Sequence, residues 1–173
     1  MSKILIIEDE PAIRRVLVKI LSEEDKSHEI DEAENGIDAI NQVKKNSYDL
    51  IISDIKMPKV DGMEVLDYSK KNNPETPIIM ISGHGDLELA VDSMKKGAFD
   101  YISKPPDLNR LLTTVRNALD RKQLVVENKL LRKKISKNFE MIGKSKAINE
   151  IKDLIDKVAE TDAKILVNGP NGS

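Results

Sequence analysis

The sequence predicts an α/β fold, a doubly wound five-stranded parallel sheet in the order 2-1-3-4-5 with five helices covering its faces. Three observations predict it. Short continuous apolar runs recur along the first 120 residues, apolar residues repeat at helical spacing between them, and the two patterns alternate five times. At this size the flavodoxin-like strand order is the most economical arrangement of such βαβ units.

Taken in order, Lys3 to Ile7 reads as a buried strand. The first helix opens at Pro11, a residue suited to a first helical turn, and carries Ile13, Val16, Leu17, Ile20 and Leu21. A weaker strand spans Glu29 to Ala33, and Ile37, Ala39, Ile40 and Val43 mark the second helix. Leu50 to Ser53 and Pro77 to Ser82 are buried strands flanking a helix that carries Met63, Val65 and Leu66. Leu87, Ala90, Val91 and Met94 define the fourth helix, which ends at Gly97 before a weaker strand, Phe99 to Ser103. The fifth helix starts near Asp107 and meets no Gly or Pro until Gly143. Leu111, Leu112, Val115 and Leu119 form its core-facing stripe. Further along, Leu124, Asn128, Leu131 and Ile135 follow a 4-3-4 spacing. That spacing resembles a short coiled-coil seam in which a buried Asn sets register, and a solvated helix with incidental leucines is the alternative. A last helix, Lys144 to Val158, and a strand, Lys164 to Val167, complete the pattern.

Composition removes several function classes. There is no cysteine, so thiolate metal sites, disulfides and thiol nucleophiles are excluded. No stretch approaches the roughly 20 apolar residues of a membrane span, and the first residues lack a secretion signal, so a cytoplasmic protein is expected. The net charge of −2 offers no global field for nucleic acid. It conceals an asymmetry: residues 121–137 carry seven bases against one acid, Glu127, a composition shift typical of a linker. That basic stretch lacks aromatics and a groove-reading motif, which disfavours nucleic-acid contact. His28 reads as a surface residue and His84 as an exposed loop residue.

Chemistry in such a sheet collects at the carboxyl ends of the strands. There the sequence places Glu8 and Asp9 after the first strand, Asp54 after the third, Ser82 after the fourth and Lys104 after the fifth. Carboxylates about 4 Å apart repel by roughly 4 kcal/mol at an effective dielectric near 20. A divalent cation removes that penalty, and an all-oxygen donor set without His or Cys favours Mg²⁺. A nucleophilic carboxylate beside a metal, an ammonium and a hydroxyl is the equipment of phosphoryl transfer to Asp.

These residues resemble the receiver domain of bacterial two-component response regulators. The likeness rests on Glu8-Asp9, on Ser53 to Pro58 with Asp61-Gly62, on Ile81 to His84, and on Gly97 to Tyr101 with Lys104-Pro105. It implies that Asp54 is the phosphoacceptor, charged by a sensor histidine kinase. It implies a Mg²⁺ site of Asp9, Glu8, Asp54 and the backbone carbonyl of Lys56. Ser82 and Tyr101 take the two switch positions, and Lys104 contacts the phosphoryl group, with a cis peptide before Pro105. Pro106 stands where many relatives carry an aromatic residue.

Together with Met141 to Ser145 and Ile165 to Ser173, the same motifs resemble an NtrC-type regulator, in which a receiver controls an AAA+ ATPase acting on sigma-54 RNA polymerase. The implied organisation is a receiver over 1–120, a basic helical linker over 121–138 and the N-terminal part of an AAA+ domain over 139–173. Gly169 and Gly172 match the opening of a phosphate-binding loop whose second half is not in the sequence, so no complete ATP site is expected. The implied function is a phosphorylation-controlled switch, not an enzyme beyond self-phosphorylation and self-dephosphorylation. Phosphorylation would repack the face of the fourth helix, fifth strand and fifth helix and change dimerisation of a homodimer. Contact with sigma-54 polymerase or DNA would run through regions outside this chain, and no membrane is involved. Two alternatives stay open: a degenerate receiver kept for dimerisation, and a phosphohydrolase, which wants a second acid where Lys56 stands.

Overall fold

A strand buried on both faces needs an uninterrupted apolar run, and the sequence supplies three. A computed structural model describes residues 2–83, 87–138, 145–159, 164 and 166, with side chains for all of these except 87 and 133–138. Along the chain lie β1 (Lys3–Ile7), α1 (Pro11–Glu24), β2 (Glu29–Ala33), α2 (Gly36–Lys45), β3 (Leu50–Asp54) and α3 (Gly62–Asn72). There follow β4 (Ile78–Ser82), α4 (Leu87–Lys95), β5 (Asp100–Ser103), α5 (Leu108–Asn138) and α6 (Lys146–Val158). The strands form one sheet in the order β2-β1-β3-β4-β5, every neighbouring pair parallel. The expected topology is the observed one. Two units divide the chain, Met1–Asn128, which holds the whole sheet, and Lys129–Ser173, which holds α6.

Side-chain alternation along the strands splits the core in two. Leu5, Ile7, Ile51, Ile78 and Met80 face Ala39 and Val43 of α2 and Val65 and Leu66 of α3. On the other face Ile4, Ile6, Ile52, Ile79 and Ile81 meet Leu17 and Leu21 of α1 with Leu111, Val115 and Ala118 of α5. Most of these side chains are fully buried, and each Ile or Leu so buried contributes roughly 1.5–3 kcal/mol. Both faces of β1, β3 and β4 are therefore sealed, and the strands can open only at their ends.

Element boundaries follow backbone hydrogen bonding. Pro77 accepts from Ile51 N but has no N–H to donate, so β4 begins one residue later than expected. Phe99 N donates to Ile78 O, yet β5 proper starts at Asp100. Asp107 is the cap of α5 and lies outside it: its carboxylate accepts from Arg110 N at 2.8 Å. Asn35 and Asp61 cap α2 and α3 in the same way. Gly97 takes φ +94°, a left-handed conformation that ends the α4 segment without the strain a side chain would bring.

The expected tail helix is present as α6, capped by Ser145, with Lys144 outside the described residues. The expected strand over Lys164 to Val167 is not seen at Lys164 or Leu166, its two described residues. On α5 the side chains of Leu124, Asn128 and Leu131 are exposed, and that of Ile135 lies outside the described residues. His84, Gly169 and Gly172 lie outside them as well. His28 is half-buried rather than on the surface. No helix among the described residues is long and apolar enough to cross a membrane.

At the amino end of the sheet, the Tyr48 hydroxyl donates to Asp31 Oδ2 at 2.8 Å. Burial, then this carboxylate, pushes the phenol up from 10.0 to about 12. The folded chain thus holds this proton more tightly than the unfolded one, so the contribution is intact below pH 10 and lost as pH rises from 10 to about 12. Phenolate absorbance should show a step near pH 12 that vanishes in Tyr48→Phe and moves toward pH 10 in Asp31→Asn.

Candidate functional site

The carboxyl ends of β1 and β3 are adjacent, since Ile7 pairs with Ser53, and each strand delivers acids as it leaves the core. Glu8 and Asp54 are buried and Asp9 is exposed. Carboxylate oxygens of all three lie within 4.8 Å of one another. β5 is two strands from β3, and Lys104 reaches back across the gap. Its Nζ is 2.7 Å from Asp54 Oδ2, 3.0 Å from Glu8 Oε1 and 2.8 Å from Glu8 Oε2. Lys104 N also donates to Ser82 O, and the Lys104-Pro105 bond is cis.

The electrostatics are unbalanced, three carboxylates facing one ammonium. Burial raises the Glu8 carboxyl above its usual 4.5, with the Lys104 hydrogen bond opposing and the Asp54 charge assisting the rise. Burial pushes Lys104 down, but the hydrogen bonds it donates to Asp54 and Glu8 outweigh it and hold the ammonium above 10.5. A divalent cation fits the donor set. Ligand oxygens at about 2.0–2.1 Å around Mg²⁺ stand roughly 3–4 Å apart, the scale of this cluster.

The remaining expected residues fall around it. Ser82 ends β4 and is buried; Tyr101 in β5 is half-buried and packs on the α2–α3 side of the sheet. Tyr101 pairs with Met80, and Ser82 is two residues beyond Met80, so Ser82 and Tyr101 belong to one sheet face. Lys56 follows Asp54 by two residues in the β3–α3 loop, exposed to solvent. The seam positions on α5 are not part of the cluster.

Two contributors escape a reading of the sequence. Arg14 on α1 is buried, donates Nη1 to Glu8 O at 2.6 Å and pairs with Glu32 and Glu34. It pins the main chain between the two leading acids, and nothing distinguishes it in sequence from its exposed neighbour Arg15. Gly62 opens α3 and donates its N–H to Ile55 O, and a Cβ there would stand 2.0 Å from Asp54 O. The Asp61-Gly62 pair is among the residues that carry the resemblance, but nothing in the sequence points to this contact.

The family model described as the response regulator receiver domain matches residues 4–116 of this sequence, and the chain, with its parallel sheet and acids at the ends of β1 and β3, belongs to that family. Similar curated relatives are the nitrogen assimilation regulatory protein NtrX of Azorhizobium caulinodans and the C4-dicarboxylate transport transcriptional regulatory protein DctD of Pseudomonas aeruginosa. The first is 37% identical over 98% of this chain and the second 32% over 99%, both regulators of the NtrC type. The chain spans 37% and 38% of their lengths. Among solved structures, a receiver domain protein of Clostridium thermocellum is 37% identical with a TM-score of 0.67, covering 72% of this chain and 99% of that one. NtrX of Brucella abortus is 36% identical with a TM-score of 0.71, over 95% of this chain and 36% of that one. Receiver domains are phosphorylation switches rather than conventional enzymes and bind Mg²⁺ in an acidic pocket; among the described residues Glu8, Asp9 and Asp54 form an acidic cluster that could hold a metal ion.

Proposed function

We propose that Asp54 is the phosphoacceptor of a switch that a sensor histidine kinase charges, within a cytoplasmic NtrC-type regulator. The observation that carries this reading is the Asp54 carboxylate at the end of β3, held 2.7 Å from Lys104 Nζ inside a cluster of three acids. An Asp54 oxygen attacks phosphorus, the bond from phosphorus to the donor's leaving group breaks, and an acyl phosphate remains on Asp54. Lys104 faces the charge that the transferred group brings, and its second partner, Glu8, keeps the ammonium aimed at Asp54. Glu8, Asp9, Asp54 and the Lys56 carbonyl would hold Mg²⁺, which when bound supplies positive charge to the phosphoryl oxygens.

In this reading Ser82 turns toward the new oxygens and Tyr101 moves into the space it leaves. The face of α4, β5 and α5 then repacks and dimerisation changes. Residues 1–120 are the receiver, 121–138 the linker and 139–173 the entry to an AAA+ segment that acts on sigma-54 polymerase.

Intact-protein mass after incubation with a small acyl-phosphate donor tests the chemistry. Wild type should gain one labile phosphoryl group only with Mg²⁺, and Asp54→Asn should gain none. A phosphoryl group on Asp54→Asn removes Asp54 from this role, and a gain indifferent to Mg²⁺ removes the metal from the transfer.

A further inference from the structure

At the end of the sheet opposite Asp54, three cations converge on a cavity of about 190 Å³. Its walls come from the last turn of α3 and the α3–β4 turn (Lys70, Pro74, Glu75, Pro77), from Gly97 to Phe99 ahead of β5, and from α5 (Arg121, Lys122, Val125). Lys70 is half-buried, with its stem lying 3.8 Å from where a Cβ on Gly97 would sit. Its Nζ donates to Thr76 O at 2.9 Å, and Lys122 Nζ reaches Thr76 Oγ1 at 3.3 Å. Arg121 stacks over the Phe99 ring at 5.7 Å. Both ammonium groups thus reach neutral oxygens of Thr76, and Glu75 is the single acid among the described lining residues, which leaves their formal sum at +2.

Such an arrangement is costly by itself. Burial, then the charges of Arg121 and Lys122, lowers the Lys70 ammonium below its usual 10.5, the mark of cations pressed together. Pro74, Pro77, Ala98, Phe99 and Val125 give the cavity apolar walls, where a charge-assisted hydrogen bond gains strength over the same bond in water. Lys70 comes from α3 and Arg121 and Lys122 from α5, so an anion between them would join two helices distant in sequence.

We infer that this cavity is a binding site for a small phosphate-bearing anion, held by Lys70, Arg121 and Lys122. The cavity accommodates one phosphate group and a short organic stem. An occupant ties the first residues of the basic segment to the receiver at the end remote from the acid cluster. The site is independent of the phosphoacceptor reading, and its test keeps the two apart.

The ¹⁵N-labelled full chain is titrated in Mg²⁺-free buffer with inorganic phosphate and with a short-chain phosphomonoester, against sodium chloride at equal ionic strength. Both phosphates should shift the amides of Gly97, Ala98, Phe99 and Val125 saturably, with chloride leaving them in place. Asp54→Asn should bind as wild type does. Arg121→Gln combined with Lys122→Gln should weaken binding at least about tenfold, the loss of one charge-assisted hydrogen bond. Glu75→Gln should move it the other way, several-fold tighter, a result that damage to the fold cannot imitate. The tighter of the two ligands identifies the source, free phosphate or an esterified metabolite. Shifts that follow ionic strength alone, survive the double substitution undiminished, or gather at Glu8 and Asp54 overturn the site.

Discussion

Gly62→Ala should destabilise the chain by about 3 kcal/mol or more and slow phosphorylation of Asp54 by about a hundredfold. An alanine Cβ would sit 2.0 Å from Asp54 O and 2.9 Å from both Asp54 C and Ile55 Cα. Those atoms are main chain, so no side chain can swing aside to relieve the overlap. Either the first turn of α3 lifts, breaking the Gly62 N to Ile55 O bond and disturbing the Asp61 cap, or the end of β3 is displaced. Both routes move Asp54 relative to Lys104 by something near an ångström, and positioning errors of that size carry large rate penalties. Denaturant midpoint and the rate of mass gain with an acyl phosphate measure the two effects. Gly83→Ala is the internal comparison: it adds the same methyl beside Ser82, but among the described residues nothing lies within 4 Å of the added Cβ. Its stability should stay within about 0.5 kcal/mol of wild type. Equal losses from the two substitutions would remove the close approach at Gly62 as the cause.

What could be read ahead of the structure depended on where physical causes leave a mark in the sequence. The strand ends did, because two-sided burial forces β1, β3 and β4 into apolar runs that give way to polar residues at Glu8, at Ser53-Asp54 and at Ser82. Helical spacing located faces but not their depth: Val16 and Ile37 sit on the pattern yet are about half exposed, while Ala118, outside the stripe named from sequence, is fully buried. The hold of Arg14 on the site was not legible, since there its partner is the carbonyl of Glu8 and a backbone acceptor has no residue type. The cationic cavity was hidden for a different reason. Lys70 lies in one helix and Arg121 in another, and only the packed sheet between them makes the two a pair.

Lys104→Met is expected to separate charge balance from chemistry at the acid cluster. Methionine keeps an apolar stem of similar length but withdraws the ammonium that both Glu8 and Asp54 touch. Two buried carboxylates are then left facing each other, and losing one member of a buried pair costs about 3–5 kcal/mol. The Lys104 head is partly open to solvent, which brings the expected loss to about 2–3 kcal/mol near neutral pH. Burial already raises Glu8, and without Lys104 its hydrogen-bonding opposition is gone, so the carboxyl holds its proton to higher pH. A raised acid in the folded state contributes stability that is complete below its usual 4.5 and declines as pH climbs through the folded value. The deficit of the variant should therefore shrink on acidification. At neutral pH a divalent cation is the alternative source of positive charge, so Mg²⁺ should raise the melting temperature of Lys104→Met more than that of wild type. Acceptance of phosphate from an acyl phosphate should still fall by roughly 10²–10³-fold, because Mg²⁺ restores the charge balance but not the donor aimed at the incoming oxygens. Thermal shifts with and without Mg²⁺, paired with initial rates of mass gain, read both. A variant that loses stability, gains no more from Mg²⁺ than wild type and accepts phosphate at the wild-type rate would make Lys104 a structural tie between β5 and the acids, with no part in the transfer.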